Sequence, residues 1–143
     1  MRLTSIVILW LVCAGAGVGA AAAEPSGVRG EVAAMAAWNR GDLEAALQSY
    51  CPSPEMSWVS ASGLTHGFEP FARPMRQLFA RNPGAMGRMT AEALETARWG
   101  KGARLVVLRW SIDDEERRLM GGISTQLWAP CQGRMRIVLE HAS

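Results

Sequence analysis

The 143-residue chain is poor in the features by which a sequence usually declares its chemistry. Lys101 is the single lysine among its 15 basic residues, and there are only two histidines, one tyrosine and three cysteines. The formal net charge is only +2, spread evenly, which excludes a dedicated nucleic-acid binder. No glycine-rich phosphate loop or serine-centred nucleophile elbow is present. Cys51, His66, Cys131 and His141 show no pair at the short spacing of zinc ligands, so neither a metal nor a cofactor is expected. Hydrophobic residues make up 49% and charged residues 20%, which fits one ordinary globular domain and excludes a disordered tail or a multi-pass membrane protein.

The chain begins MRLTSIVILWLVCAGAGVGAAAAEPSG. Arg2 supplies a positive start, Leu3 to Val12 is nearly all apolar, and Ala21-Ala22-Ala23 fits a small-x-small cleavage site. We read 1–23 as a signal peptide, which makes the protein exported, periplasmic or secreted. An uncleaved anchor is the rival reading, but the strongly apolar part is about half of the roughly 20 residues a spanning helix needs. Leu11-Val12 before Cys13 argues against a lipoprotein signal, which prefers a small residue there. After cleavage no stable membrane association is expected. The remaining domain, 24–143, keeps Cys51 and Cys131 in a compartment where disulfides persist. Whether the two come close enough to pair is left open by the sequence.

Apolar spacing of three and four predicts one helix through Val32, Met35 and Ala36 and a second through Leu43, Ala46, Leu47 and Tyr50. Gly41 stops the first and Asp42 caps the second. Glu55 to Ser60 and Leu64 to His66 predict two short strands around a turn. A third helix carries Phe68, Phe71, Ala72, Met75, Leu78 and Phe79, with Pro74 forcing a kink or a late start near Phe71. Four strands follow: Arg88 to Trp99 and Ala103 to Ile112 around Gly100-Lys101-Gly102, then Leu119 to Trp128 and Arg134 to His141 around 129–133. Asp113 to Glu116 reads as a charged turn. Helices first and antiparallel strands last make an α+β domain with three helices on a curved, mostly antiparallel sheet.

Several motifs then acquire a common meaning. Ala37-Trp38-Asn39-Arg40-Gly41-Asp42-Leu43 resembles the opening of SnoaL-like proteins of the nuclear transport factor 2-like superfamily. Thr65-His66-Gly67, Arg109-Trp110, Gly121-Gly122 with Thr125, and the ending Arg136 to Ser143 are similar to later steps of that pattern. The resemblance spans roughly residues 28–143. It implies a cone-shaped α+β fold with a deep pocket, commonly dimeric, and a kinship with the association domain of calmodulin-dependent kinase. The chain departs from the pattern at Met135, at Leu139 and at Pro74. The enzymes of the superfamily use an Asp base or a His–Asp pair inside the cone, and no Asp here stands at a suitable strand position.

Alternation along the last strand groups Met135, Ile137, Leu139 and His141, which would place His141 inside the cone and Glu140 on the opposite face. An imidazole there would serve as acid, base or hydrogen-bond donor. Gln126 shares a face with Ser124 and Trp128, and Trp58 and Trp110 belong to an aromatic set with Trp38 and Tyr50. Trp58, Trp110, Gln126 and His141 are therefore the expected lining of an apolar pocket for a small apolar or aromatic molecule. Each has a plainer reading as core or surface. The expected function is binding or association, with a homodimer as the assembly. The alternative is an isomerase, dehydratase or cyclase using His141.

Overall fold

A computed structural model describes residues 26–115 and 117–143. The expected signal peptide, 1–23, lies outside the described residues. The elements are α1 (Ser26–Asn39), α2 (Leu43–Leu47), β1 (Ser57–Ser60), β2 (Gly63–His66), α3 (Phe68–Arg81), a 3₁₀ turn (Pro83–Met86), β3 (Arg88–Trp99), β4 (Ala103–Asp114), β5 (Arg117–Cys131) and β6 (Arg134–Ala142). The strands form one six-stranded sheet in the order β2-β1-β6-β5-β4-β3. Only β1 and β6 run parallel.

Local chemistry accounts for the helix boundaries. Gly41 takes φ 76° just after α1, a left-handed conformation that suits glycine, and its N–H donates to the Trp38 carbonyl at 2.8 Å. Asp42 caps α2, its Oδ1 accepting the Ala45 N–H at 3.0 Å. α2 is shorter than its apolar spacing predicts. Tyr50 leaves the helix to bridge Ile137 of β6, held by Cys51 N–H to the Ile137 carbonyl and Ile137 N–H to the Ser49 carbonyl. α3 starts at Phe68, not near Phe71, and carries Pro74 inside it, on the exposed side of the helix.

The strands run longer than the turn residues suggest. Asp113 and Asp114 end β4 instead of forming a turn, and β5 reaches Cys131. Pro130 is tolerated because β4 begins at Ala103, opposite the residue after Trp128, so the missing N–H breaks no ladder bond to β4. Gly122 lies where any Cβ would strike the Ser143 carbonyl, so the chain end can pair with Ile123 beside it.

Two apolar clusters meet at Tyr50. Leu47, Met56, Phe71 and Ala72 are buried under α3, with Trp58 and Phe68 packed against them. Val106, Leu108, Trp128 and Ile137 are buried on the sheet, with Ala91, Trp110 and Met135 alongside. The face carrying this second cluster is called inner here; α1 lies against it, touching β3, β4 and β6. The expected stripe of α1 is corrected. Val32 is 51% exposed and Ala36 is exposed, whereas Ala37 is buried and Gly30 abuts Trp128. Cys51 and Cys131 form a disulfide with Cα atoms 5.9 Å apart, closing a loop of 80 residues.

Candidate functional site

β5 presents Ser124, Gln126 and Trp128 on the inner face by simple alternation, and all three are buried. β6 does not alternate simply. Leu127 pairs with Leu139, but the next residue, Trp128, pairs with Ile137, so Val138 is an extra residue in the β6 ladder. Such a bulge reverses the facing of everything beyond it. Ile137 is 1% exposed and faces inward, and so do Glu140 at 4% and Ala142. Leu139 and His141 face outward and are exposed. The expected positions of His141 and Glu140 are thus exchanged.

Glu140 is the centre of the inner face. Tyr50 Oη donates to its Oε2 at 2.6 Å, and Gln126 Nε2 donates to its Oε1 at 3.1 Å. The Ser124 hydroxyl, buried on the same face, favours the charged form of Glu140. Trp128 Nε1 donates to Gln126 Oε1 at 2.9 Å, so the amide is fixed from both ends. Glu31 of α1 lies close enough to this group to sense the charge of Glu140. Among the described residues no Arg or Lys is buried to neutralise this pair. Burial therefore pushes the Glu31 carboxyl up to about 7, helped by repulsion from Glu140 and opposed by the nearby Gln126 amide. Glu140 is also raised by burial, against the pull of Tyr50, Ser124 and Gln126. Tyr50 is raised well above its usual value by burial and then by Glu140, so it stays a neutral donor.

The inner face is filled rather than hollow. Trp128 is 1% exposed, and a Cβ on Gly30 would come within 2.5 Å of its ring. Beside it, between α1 and β3–β4, a crevice of about 40 Å³ touches Glu31, Val32, Met35, Ala91, Ala93 and Val106. That is room for a few water molecules. A broader, open depression of about 460 Å³ lies at the sheet rim between Trp38–Gly41, Gly84–Arg88 and Asp113–Glu115.

The four residues expected to line a pocket are separated by this arrangement. Trp58 pairs in register with Glu140 and stacks at 4.8 Å on Phe71, which in turn meets Tyr50 at 4.6 Å. Gln126 touches Glu140 directly. Trp110 is on the same face but four residues further along β4 than Val106, the partner of Gln126, and its Nε1 is buried without a partner. His141 is across the sheet. Glu31 and Tyr50, together with Glu140, are the participants the sequence reading did not select. Their signal was slender: the lone acid of α1, and the chain's one tyrosine. Among the described residues no cluster of three or more His, Cys, Asp or Glu could hold a metal ion, and no helix is long and apolar enough to cross a membrane.

The whole described fold is that of the nuclear transport factor 2-like proteins. One such protein of unknown function from Shewanella oneidensis superposes with a TM-score of 0.75, at 23% identity, over 81% of this chain and 94% of its own. A candidate calcium/calmodulin-dependent protein kinase type II association domain from Thiobacillus denitrificans gives 0.66, at 19% identity, over 83% and 94%. A further protein of unknown function from Pseudomonas putida gives 0.60, at 16% identity, over 81% and 82%. These likenesses define the fold and leave the chemistry to the residues. No protein family's sequence profile and no curated protein matches the chain.

Proposed function

We propose that the protein is an exported association domain that pairs with a second copy of itself through the outer face of its sheet. One observation carries this reading. Paired residues of neighbouring strands form continuous rows on the outer face: Ala97, Leu105, Leu127 and Leu139 make one, and Glu95, Val107, Thr125 and His141 the next. Leu139 is 39% exposed and Ile123 36%, and none of the described helices lies over them. A sheet face of this kind needs a second cover. Arg109 and Glu92 form a 3.0 Å ion pair at the edge of the same face, presenting both charges to a symmetry-related copy.

Of the two expected roles, binding and association, ligand binding is less well supported, because Trp128 fills the inner face. Catalysis by His141 loses its setting with the residue on the outer face. Export draws support from the Cys51–Cys131 disulfide, a bond that persists in oxidising compartments, and from the signal-like composition of 1–23. The aliphatic content of the row through Leu105, Leu127 and Leu139 suits an isologous interface with a polar rim. The mass in solution tests the proposal, with Leu139→Asp as the variant that places a charge at the centre of the face.

A further inference from the structure

We propose that the end of the sheet carrying the β3–β4 and β5–β6 turns is a docking surface for an anionic membrane, with Trp99 entering the headgroup region and five basic side chains meeting lipid phosphates. Spread evenly along the sequence, the basic residues are gathered here by the fold. Arg98, Lys101 and Arg104 stand on the β3–β4 hairpin, and Arg134 and Arg136 on the β5–β6 hairpin. The two turns are neighbours. β4 pairs with β5 as far as Arg104 and Trp128, and a Cβ on Gly102 would stand 3.6 Å from the Pro130 ring. Trp99, at the end of β3, is 65% exposed, the most exposed large apolar side chain among the described residues.

No carboxylate balances these charges. Residues 96–107 and 127–138 contain no Asp or Glu. Arg98 pairs in register with Arg104, so two like charges face each other across neighbouring strands, which costs stability unless an anion lies between them. Arg136 donates only to neutral oxygens, the Gln48 and Cys131 carbonyls and Gln132 Oε1. Among the described residues none of the five is in an ion pair. The opposite end of β4 differs, for there Arg118 meets Asp113 at 3.4 Å.

An exposed indole among uncompensated cations fits a bilayer surface better than a soluble anion. A free phosphate or an acidic chain engages the cations and leaves the indole in water. At a membrane the indole sits at headgroup level while arginine and lysine meet the phosphates. The described chain also begins at this end. α1 runs from Gly30, which abuts Trp128, to Asn39, whose Nδ2 donates to the Met89 carbonyl near the start of β3 at 2.8 Å. Segment 1–23, read above as the signal peptide, is thus joined to the domain on the side that would face the membrane. The contact is reversible and weakened by salt, not an anchor. It is separate from the pairing proposed above, whose row through Ala97 and Leu105 stops short of Trp99.

Co-sedimentation of the full protein with vesicles of phosphatidylglycerol and phosphatidylcholine in equal parts, set against vesicles of phosphatidylcholine alone, tests this. Stronger binding to the anionic vesicles is expected, lost as salt rises from about 0.1 M to about 1 M. Arg98→Gln/Lys101→Gln/Arg134→Gln, all at exposed positions, should lower that binding roughly a hundredfold, since each such charge contributes about a fivefold gain. Trp99→Ala should weaken it with the salt dependence kept. Arg40→Gln/Arg88→Gln/Arg117→Gln, an equal loss of exposed charge at the other end of the sheet, should lower it far less. Segment 1–23 is common to all these variants, so the differences between them report the domain alone. Equal binding to both vesicle types, or an equal loss in the two triple variants, would overturn the proposal. So would binding to soluble polyglutamate as strong as to the vesicles, which would make an acidic polypeptide the partner.

Discussion

The inner and outer faces of β5 and β6 are drawn from the same stretches of chain, and neighbouring residues have opposite fates. Glu140 is 4% exposed and takes hydrogen bonds from two side chains, whereas His141, the next residue, stands in solvent. Ser124, Gln126 and Trp128 build a satisfied polar network on one side, whereas Ile123 and Leu139 lie uncovered on the other. The inner face thus sets a polar network inside its apolar cluster of Val106, Leu108, Trp128 and Ile137. A polar network inside must be complete to be tolerated. An apolar surface outside asks for a partner. The contrast sets the outer face apart as the surface of the proposed pairing and the inner one as the seat of the Tyr50–Glu140–Gln126 bonds.

The largest expected effect comes from the bond that fastens the inner side. Cys51 sits next to Tyr50 and Cys131 ends β5, so replacing both by Ser frees the segment that delivers Tyr50 to Glu140. Opening a loop of 80 residues should lower stability by about 4–5 kcal/mol in the chain-entropy picture. Urea unfolding of the double variant checks this. A loss below about 1 kcal/mol would mean that the remaining contacts hold this segment without it.

Tyr50→Phe tests the network alone. It removes the 2.6 Å donor to a buried carboxylate and keeps the aromatic contacts with Phe71 and Trp58. The expected loss is about 1.5–3 kcal/mol, the cost of a hydrogen bond to a charged group. At the other extreme stands His141→Ala. An exposed outer-face position away from any cap or network should change monomer stability by less than about 0.5 kcal/mol. If His141→Ala proved the costlier of the two in urea titrations, the assignment of the faces would be wrong.

Most of the fold was legible in the chain because its signals are local. Gly41 and Asp42 mark a helix stop and a helix start by their own backbone and side-chain chemistry, and the hairpin around Gly100-Lys101-Gly102 is a turn signal in three residues. The centre of the inner face was not legible, since it depends on a count of one. Alternation carried from Met135 to His141 passes through Val138, and a single extra residue there reverses the result. The run Ile137-Val138-Leu139 breaks strict alternation, which was the one trace of the bulge. Glu31 was hidden for another reason. Val32 and Met35 imply a helix face, but packing chose the side where Gly30 lets the Trp128 ring approach. Spacing alone cannot weigh a glycine's missing side chain against a valine's bulk.

The solution mass of the protein, measured by light scattering at tens of micromolar, bears most directly on the central claim. The outer face described here predicts twice the chain mass for the unaltered protein and the single-chain mass for Leu139→Asp, with the far-ultraviolet circular dichroism of the two superimposable. A single-chain mass for the unaltered protein, or a dimer that survives Leu139→Asp intact, would contradict it.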